Sequence, residues 1–291
     1  MIELQIFFPA VVNGLTMGAV YALVALGLTL IYGVLHIINF AHGSLLMAAL
    51  YGAFFFKEGL GVDPYLALPL LAAAFFAVGY ALQRYVIGKA SHGKDQNVLL
   101  VTLGISIVIE NLALYFFRAD TRTVETPYSY EMLDLGFALV PYPRAIGFVA
   151  ALAIAGLLWW TIERTDLGRA IRAVAKERQG AKLVGIDVDH VFALSFGIGT
   201  AVLGAAACLL LPSFYVSPGV GNLFVLVAFT VVVLGGMGSF TGALVGGLAI
   251  GVTESLCGLF LGQQLGQLGI FVIFIALLMF RPTGLFGSRL A

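Results

Sequence analysis

Charge is scarce in this chain. Lys, Arg, Asp and Glu supply 10% of its 291 residues, against about 25% in soluble domains. No stretch is both polar and long enough to fold as a soluble domain, so any ATP hydrolysis must occur on another chain. Cysteine is nearly absent. Cys208 and Cys257 both fall in apolar runs, which excludes a disulfide framework or a cysteine metal site and leaves them as small packing residues. The first ten residues, MIELQIFFPA, lack the basic stretch and small-residue cleavage site of a secretory signal, and read as part of an uncleaved first span.

What the chain has is apolar length. Hydrophobic residues make up 61% of it, and its mean hydropathy is +1.04. Its apolar runs exceed the roughly 18 residues that mark a membrane-crossing helix. They are continuous, not alternating, which disfavours a β-barrel. The expected fold is all-α, a polytopic integral membrane helical bundle of about eight to nine transmembrane helices. Candidate spans cover 8–32, 41–56, 65–86, 97–117, 144–162, 191–211, 222–236, 242–261 and 266–281; the second and seventh are short. One transmembrane domain, 1–291, is expected, and no internal sequence repeat is found.

With nine spans, eleven basic residues share one side: Arg84, Lys89, Lys94, Arg164, Arg169, Arg172, Lys176, Arg178, Lys182, Arg281 and Arg289. The positive-inside rule makes that side cytoplasmic. The N-terminus then lies outside and the C-terminus inside. The opposite side receives Lys57, Arg118, Arg122, Arg144 and an acidic loop, 118–143, with Asp120, Glu125, Glu131 and Asp134.

Against the oily background, residues 164–190 stand out, with six Lys/Arg and four Asp/Glu. Arg169, Arg172 and Lys176 fall at i, i+3 and i+7 and share a helical face, with Ile171, Val174 and Ala181 on another. The segment reads as an amphipathic helix of about four turns, stopped at Gly185. A simple connecting loop needs no such helix, so a soluble partner is expected to dock there. The competing reading is an ordinary solvated basic loop.

Polar groups inside the apolar runs are few. Asn39-Phe40-Ala41-His42-Gly43 follows the first span. It reads either as an unwound stretch lining a substrate path, with Gly43 permitting a backbone break, or as an interfacial loop with capping side chains. Glu110 and Glu254 are the carboxylates that fall within spans. Each is a candidate for holding an ammonium group or relaying protons, because a membrane-embedded acid is costly. Each also has a structural reading, a hydrogen bond to a polar neighbour such as Asn111 or Thr253, preferred here for Glu110. Most of the 36 glycines, such as Gly14/Gly18 and Gly242/Gly246/Gly247/Gly251, read as tight helix contacts.

A series of motifs, Asn13-Gly14-Leu15, Tyr21-Ala22-Leu23, Ile38-Asn39-Phe40-Ala41-His42-Gly43, Arg169-Ala170, Lys182-Leu183-Val184-Gly185-Ile186, Gly235-Gly236-Met237-Gly238-Ser239 and Gly242-Ala243, resembles the permease subunits of branched-chain amino acid ABC importers, the shorter of the two. Permeases for urea and short amides share much of the pattern. The resemblance implies a bacterial inner-membrane pore made with a second permease, two cytoplasmic ATPase subunits that use the ATP, and a periplasmic substrate-binding protein. It implies no cofactor on this chain, no nucleic acid, and a lipid bilayer around it. It makes Asn39, His42, Gly43 and Glu254 translocation-path candidates, and Arg169, Arg172, Lys176 and Gly185 ATPase-coupling candidates. The coupling pattern is loose: Arg172 stands where a Glu would begin it. A stand-alone ion-coupled transporter is the remote alternative.

Overall fold

The computed structural model describes residues 2–91, 95–136, 138–262, 265–281 and 284–286. Helix α1 (Ile2–Leu35) is followed by an irregular stretch and then α2 (His42–Leu60). Helix α2 stops at Gly61, whose φ of 68° is the left-handed conformation that glycine adopts without strain. The start of α3 (Pro64–Ala81) is encoded locally. Pro64 opens the helix and the Asp63 side chain accepts the Tyr65 N–H at 2.9 Å. Helix α3 continues through a π-helical turn, Leu82–Ile87, into α4 (Gly88–Ser91), and α5 (Asp95–Phe117) returns.

The loop after α5 holds a two-stranded antiparallel hairpin, β1 (Met132–Asp134) with β2 (Leu139–Pro141), an addition to the all-α expectation. Helices α6 (Tyr142–Arg164), α7 (Asp166–Lys176), α8 (Arg178–Leu183) and α9 (Val188–Leu210) follow. A second irregular stretch leads to α10 (Val220–Gly235), then α11 (Phe240–Leu261) and α12 (Gly266–Phe280).

Six of these helical stretches are long and apolar enough to cross a membrane, and Val220–Gly235 and Gly266–Phe280 are shorter apolar helices. Two form the centre. The central stretches of α1 and α9 are 89% and 83% buried, whereas those of the other four are 17–22% buried. A helix apolar all round belongs either inside a large core or against lipid, and both cases occur here. The layers are tight because small residues let backbones meet. A methyl group added at Gly18 of α1 would lie 2.8 Å from the Gly247 carbonyl of α11.

The bundle has two chemically distinct ends. At one, Tyr128 donates to Asp63 at 2.8 Å, Arg122 pairs with Val216, and Arg144 donates to Asn13 at 3.2 Å. This hairpin end carries the acidic loop. At the other, Arg178 donates to the Leu35 carbonyl at 2.6 Å, Arg84 lies 4.0 Å from Asp187, and Phe286 donates to the Gly235 carbonyl. Nine of the eleven basic residues assigned to one side gather at this island end; Lys94 and Arg289 lie outside the described residues.

An internal repeat is present, inverted. Helix α1 runs from the hairpin end to the island end, breaks, and α2, α3 and α5 follow. Helix α9 runs the opposite way, breaks, and α10, α11 and α12 follow with each direction reversed. The packing obeys the same exchange. Helix α1 lies chiefly against α11, and α9 against α3, the counterpart of α11. Helix α6 and the charged segment join the halves. Such repeats conserve helix order with every direction reversed, and the packing asks only for apolar and small residues, so no recurring motif marks them in the sequence.

Candidate functional site

The break after α1 begins at His36, whose φ of 57° reverses the chain. The next residues climb back into the bundle. The Asn39 side chain accepts the Ala41 N–H at 3.0 Å, Ser44 donates to the Ala41 carbonyl at 3.0 Å, and the Phe40 N–H reaches Thr102 of α5 at 3.4 Å. His42 then opens α2 with its Nε2 3.0 Å from the Val24 carbonyl. A carbonyl can only accept, so Nε2 carries the proton and Nδ1 is left as an acceptor. Val24 lies eleven residues from both Asn13 and Leu35, which mark the two ends, so α2 starts about 16 Å from each. The segment is therefore at mid-depth and buried: Asn39 is 2% exposed and His42 fully enclosed. An interfacial loop is excluded by that depth.

Nδ2 of Asn39, a donor, and Nδ1 of His42, an acceptor, have no partner among the described residues. An unpaired buried polar atom costs about 1–3 kcal/mol, so the site retains unused hydrogen-bonding capacity. The expectation for Gly43 needs correction. The backbone reversal is at His36, and Gly43 is helical. Its missing side chain serves a contact instead: a Cβ there would overlap the Gly221 carbonyl, and a Cβ on Gly221 would overlap that of Gly43. The N-termini of α2 and α10 thus meet, back to back, at the middle of the bundle.

Glu254 stands apart. It lies on α11, next to Ser255, which donates to the Ala10 carbonyl at 2.6 Å. It interacts with the Tyr21 hydroxyl. Its neighbours Gly251 and Val252 pack on Gly14, about 15 Å along α1 from Val24. Asn39, His42 and Gly43 come together; Glu254 does not join them. An edge-to-face contact, with centroids 6.0 Å apart, links Tyr21 to Phe224 on α10, which in turn meets Phe214 at 5.3 Å in the second break.

Glu110 has a polar hydrogen-bond partner, as its structural reading expects, but the partner is not Asn111. Asn111 bonds its own helix through the Ile107 carbonyl. Glu110 instead accepts a 2.9 Å hydrogen bond from Nδ2 of Asn222, the third residue of α10. Asn222 is exposed and Glu110 partly so. A charged side chain at such depth costs roughly 3 kcal/mol or more in hydrocarbon.

The charged segment is two helices, not one of four turns. Glu177 is extended (φ −155°) and caps the start of α8 by accepting the Gln179 N–H. Gly168, Ile171 and Val174 of α7 and Ala181 of α8 are buried, as the apolar spacing predicts. The basic face is committed locally. Arg169 pairs with Asp166, and Arg172 donates to the Ile162 carbonyl and approaches Glu163 at 3.3 Å, closing the end of α6. Gly185 adopts φ 86° just past α8, as a helix stop should. The tip before it is apolar and bare: Leu183 is 88% exposed and Val184 76%. Sequence reasoning quoted these two residues and missed their exposure. The signal was two adjacent apolar side chains beside a turn glycine in a charged loop. At the foot of the segment, the backbone N–H of His190, with help from the Arg84 guanidinium, holds the Asp187 carboxyl below the usual carboxylate range.

Two helices broken at mid-depth within an inverted repeat define a class, the multi-pass membrane transport proteins. The chain belongs to the branched-chain amino acid transport system permease component family, whose model matches residues 10–280. It is 33% identical to the high-affinity branched-chain amino acid transport system permease protein BraD of Pseudomonas aeruginosa over 298 residues, covering 98% of this chain and 97% of that protein. It is 33% identical to the protein of the same description named LivH from Escherichia coli, covering 97% and 96%. No solved structure matches it.

Proposed function

We propose that this chain is a membrane-spanning subunit of an ATP-driven importer of leucine, isoleucine and valine, forming the translocation path with a second permease. The observation that carries the reading is similarity over nearly the whole length to two permeases whose names state that transport. Two ATPase subunits on the cytoplasmic side would bind and hydrolyse ATP, a periplasmic binding protein would deliver substrate, and this chain would hold no cofactor of its own. It sits in the bacterial inner membrane as one permease domain, 1–291, with its N-terminus periplasmic and C-terminus cytoplasmic. Support for this orientation is the gathering of basic residues at one end. Loop 118–143 then faces the periplasm, and segment 164–190 meets the ATPases.

In this reading the inverted halves rock about the contact between Gly43 and Gly221, exposing mid-depth first to one side and then to the other. Asn39 and His42 offer a donor and an acceptor as the contact opens, and Glu254 lies nearer the periplasmic entrance. Coupling runs through Arg169, Arg172, Lys176 and Gly185, with the Leu183–Val184 tip as the apolar contact. The test is radiolabelled uptake in a strain lacking its own system, comparing leucine, alanine and urea. Leucine uptake that needs all the subunits is expected; uptake of urea alone would overturn the substrate.

A further inference from the structure

We propose that Glu110 and Asn222 form the station in the path that holds the polar end of the passing amino acid, beside an apolar patch for its side chain. The inference rests on the permease reading above and adds the residues that recognise the substrate.

Depth comes first. His42 bonds Val24 halfway along α1, Gly43 touches Gly221, and Asn222 is the next residue. The 2.9 Å bond from Asn222 places Glu110 at the same level. Direction comes second. Glu254, the other carboxylate within a span, interacts with Tyr21, which is buried inside this chain. Glu110 and Asn222 instead lie on an outer face, where α5 and α10 present them. A single amide donor leaves most of the lone pairs of a carboxyl group without partners, and lipid offers none. In the assembled importer this face therefore meets water and protein. The second permease closes it, and the space between them is the path.

The surrounding chemistry is that of an aliphatic amino acid. Ile107, one turn before Glu110 on α5, is 53% exposed, and Leu226, one turn after Asn222 on α10, is 49% exposed. Phe40 lies between α5 and α10, about two turns toward the island end: its N–H meets Thr102 of α5, its ring lies 6.1 Å from that of Phe229 of α10, and it is 41% exposed. A substrate ammonium group donates to the Glu110 carboxyl. The second N–H of the Asn222 amide donates to the substrate carboxylate. Ile107 and Leu226 receive the branched side chain, and Phe40 lines the apolar way on toward the island end. Urea, with no aliphatic part and no ammonium group, uses neither half of this arrangement.

The test uses the complete importer in cells. Glu110→Gln keeps the volume and can still accept from Asn222, and removes only the acid. Its maximal leucine uptake should fall at least tenfold with half-saturation unchanged within twofold, and Glu110→Asp should recover part of the rate. Wild-type uptake in Glu110→Gln overturns the station. So does loss of the ATPase subunits on purification of both variants, which assigns the pair to assembly. A second readout is independent of the substrate: Asn222→Cys, with Cys208 and Cys257 replaced, should react with a small water-soluble thiol reagent in at least one nucleotide state. Protection in every state overturns the proposal. If wild type carries urea and not leucine while that cysteine reacts, the substrate reading fails and the path location stands.

Discussion

Gly43 and Gly221 touch through their backbones, each lying where the other's side chain would be. They join the starts of α2 and α10, the two helices that begin inside the bundle. An added methyl at either position has no empty space, and the atoms it meets are main chain, which moves only if a helix moves. Gly221→Ala should destabilise the purified importer by about 1–3 kcal/mol, the usual range for overpacking, and lower uptake further by holding the helix starts apart. Gly156→Ala is the control. A Cβ there meets nothing within 4 Å, and the exchange should be neutral or stabilising. Thermal unfolding in detergent, compared with uptake, distinguishes the outcomes; equal stability of Gly221→Ala and wild type would remove the tight contact from the account.

At the island end, two substitutions separate folding from docking. Arg172→Glu places a carboxyl beside the Ile162 carbonyl and Glu163. It should loosen the corner between α6 and α7 and reduce the amount of folded protein. Leu183 is 88% exposed, and the Leu183→Asp protein should fold normally. Removing a central apolar anchor from an interface commonly costs 2 kcal/mol or more, about 30-fold in affinity. Co-purification of the ATPase subunits should therefore fail for Leu183→Asp while expression is unchanged. Full ATPase recovery with that variant would remove the tip from the contact and leave coupling to Arg169, Arg172, Lys176 and Gly185 alone.

Topology is checked at two sites chosen by exposure. A reporter fused after Gly180 should read cytoplasmic. One inserted at Gly136, the exposed turn of the β1–β2 hairpin (φ 81°), should read periplasmic without breaking the Tyr128–Asp63 bond. The reverse pattern would invert the whole assignment.

The long apolar runs and basic residues made a bundle of membrane-crossing helices and two chemically different ends legible in the sequence, because lipid demands continuous apolar length and lysine and arginine resist burial in it. The two short spans also carried a message. Segments 41–56 and 222–236 are short because α2 and α10 start at mid-depth. The inverted repeat was not legible, since it preserves helix order and packing, with every direction reversed, and not residue identity. The partner of Glu110 was equally hidden: Asn222 lies 112 positions away, and only the meeting of α2 with α10 brings it near. Gly43 was noticed for the wrong reason, because a glycine's need for space and its freedom of rotation look alike in a sequence.

The unused atoms at the first break lead to the last prediction. Nδ2 of Asn39 and Nδ1 of His42 are buried without partners, a costly arrangement unless another state satisfies them. If the halves separate during the cycle, water or the substrate's polar groups reach both. Asn39→Ala and His42→Ala should then lower the maximal uptake rate several-fold and change the half-saturating concentration little, since the delivery protein sets it. Accessibility gives the sharper test. Asn39→Cys and His42→Cys, in a protein lacking Cys208 and Cys257, should be protected from a water-soluble thiol reagent at rest, because both positions are enclosed. They should react when ATP turnover is trapped midway. Glu254→Cys, on a partly exposed site nearer the hairpin end, should react without nucleotide. Protection of positions 39 and 42 in every nucleotide state would mean that the break never opens to water, and the two side chains would then serve only to hold α2 against α1.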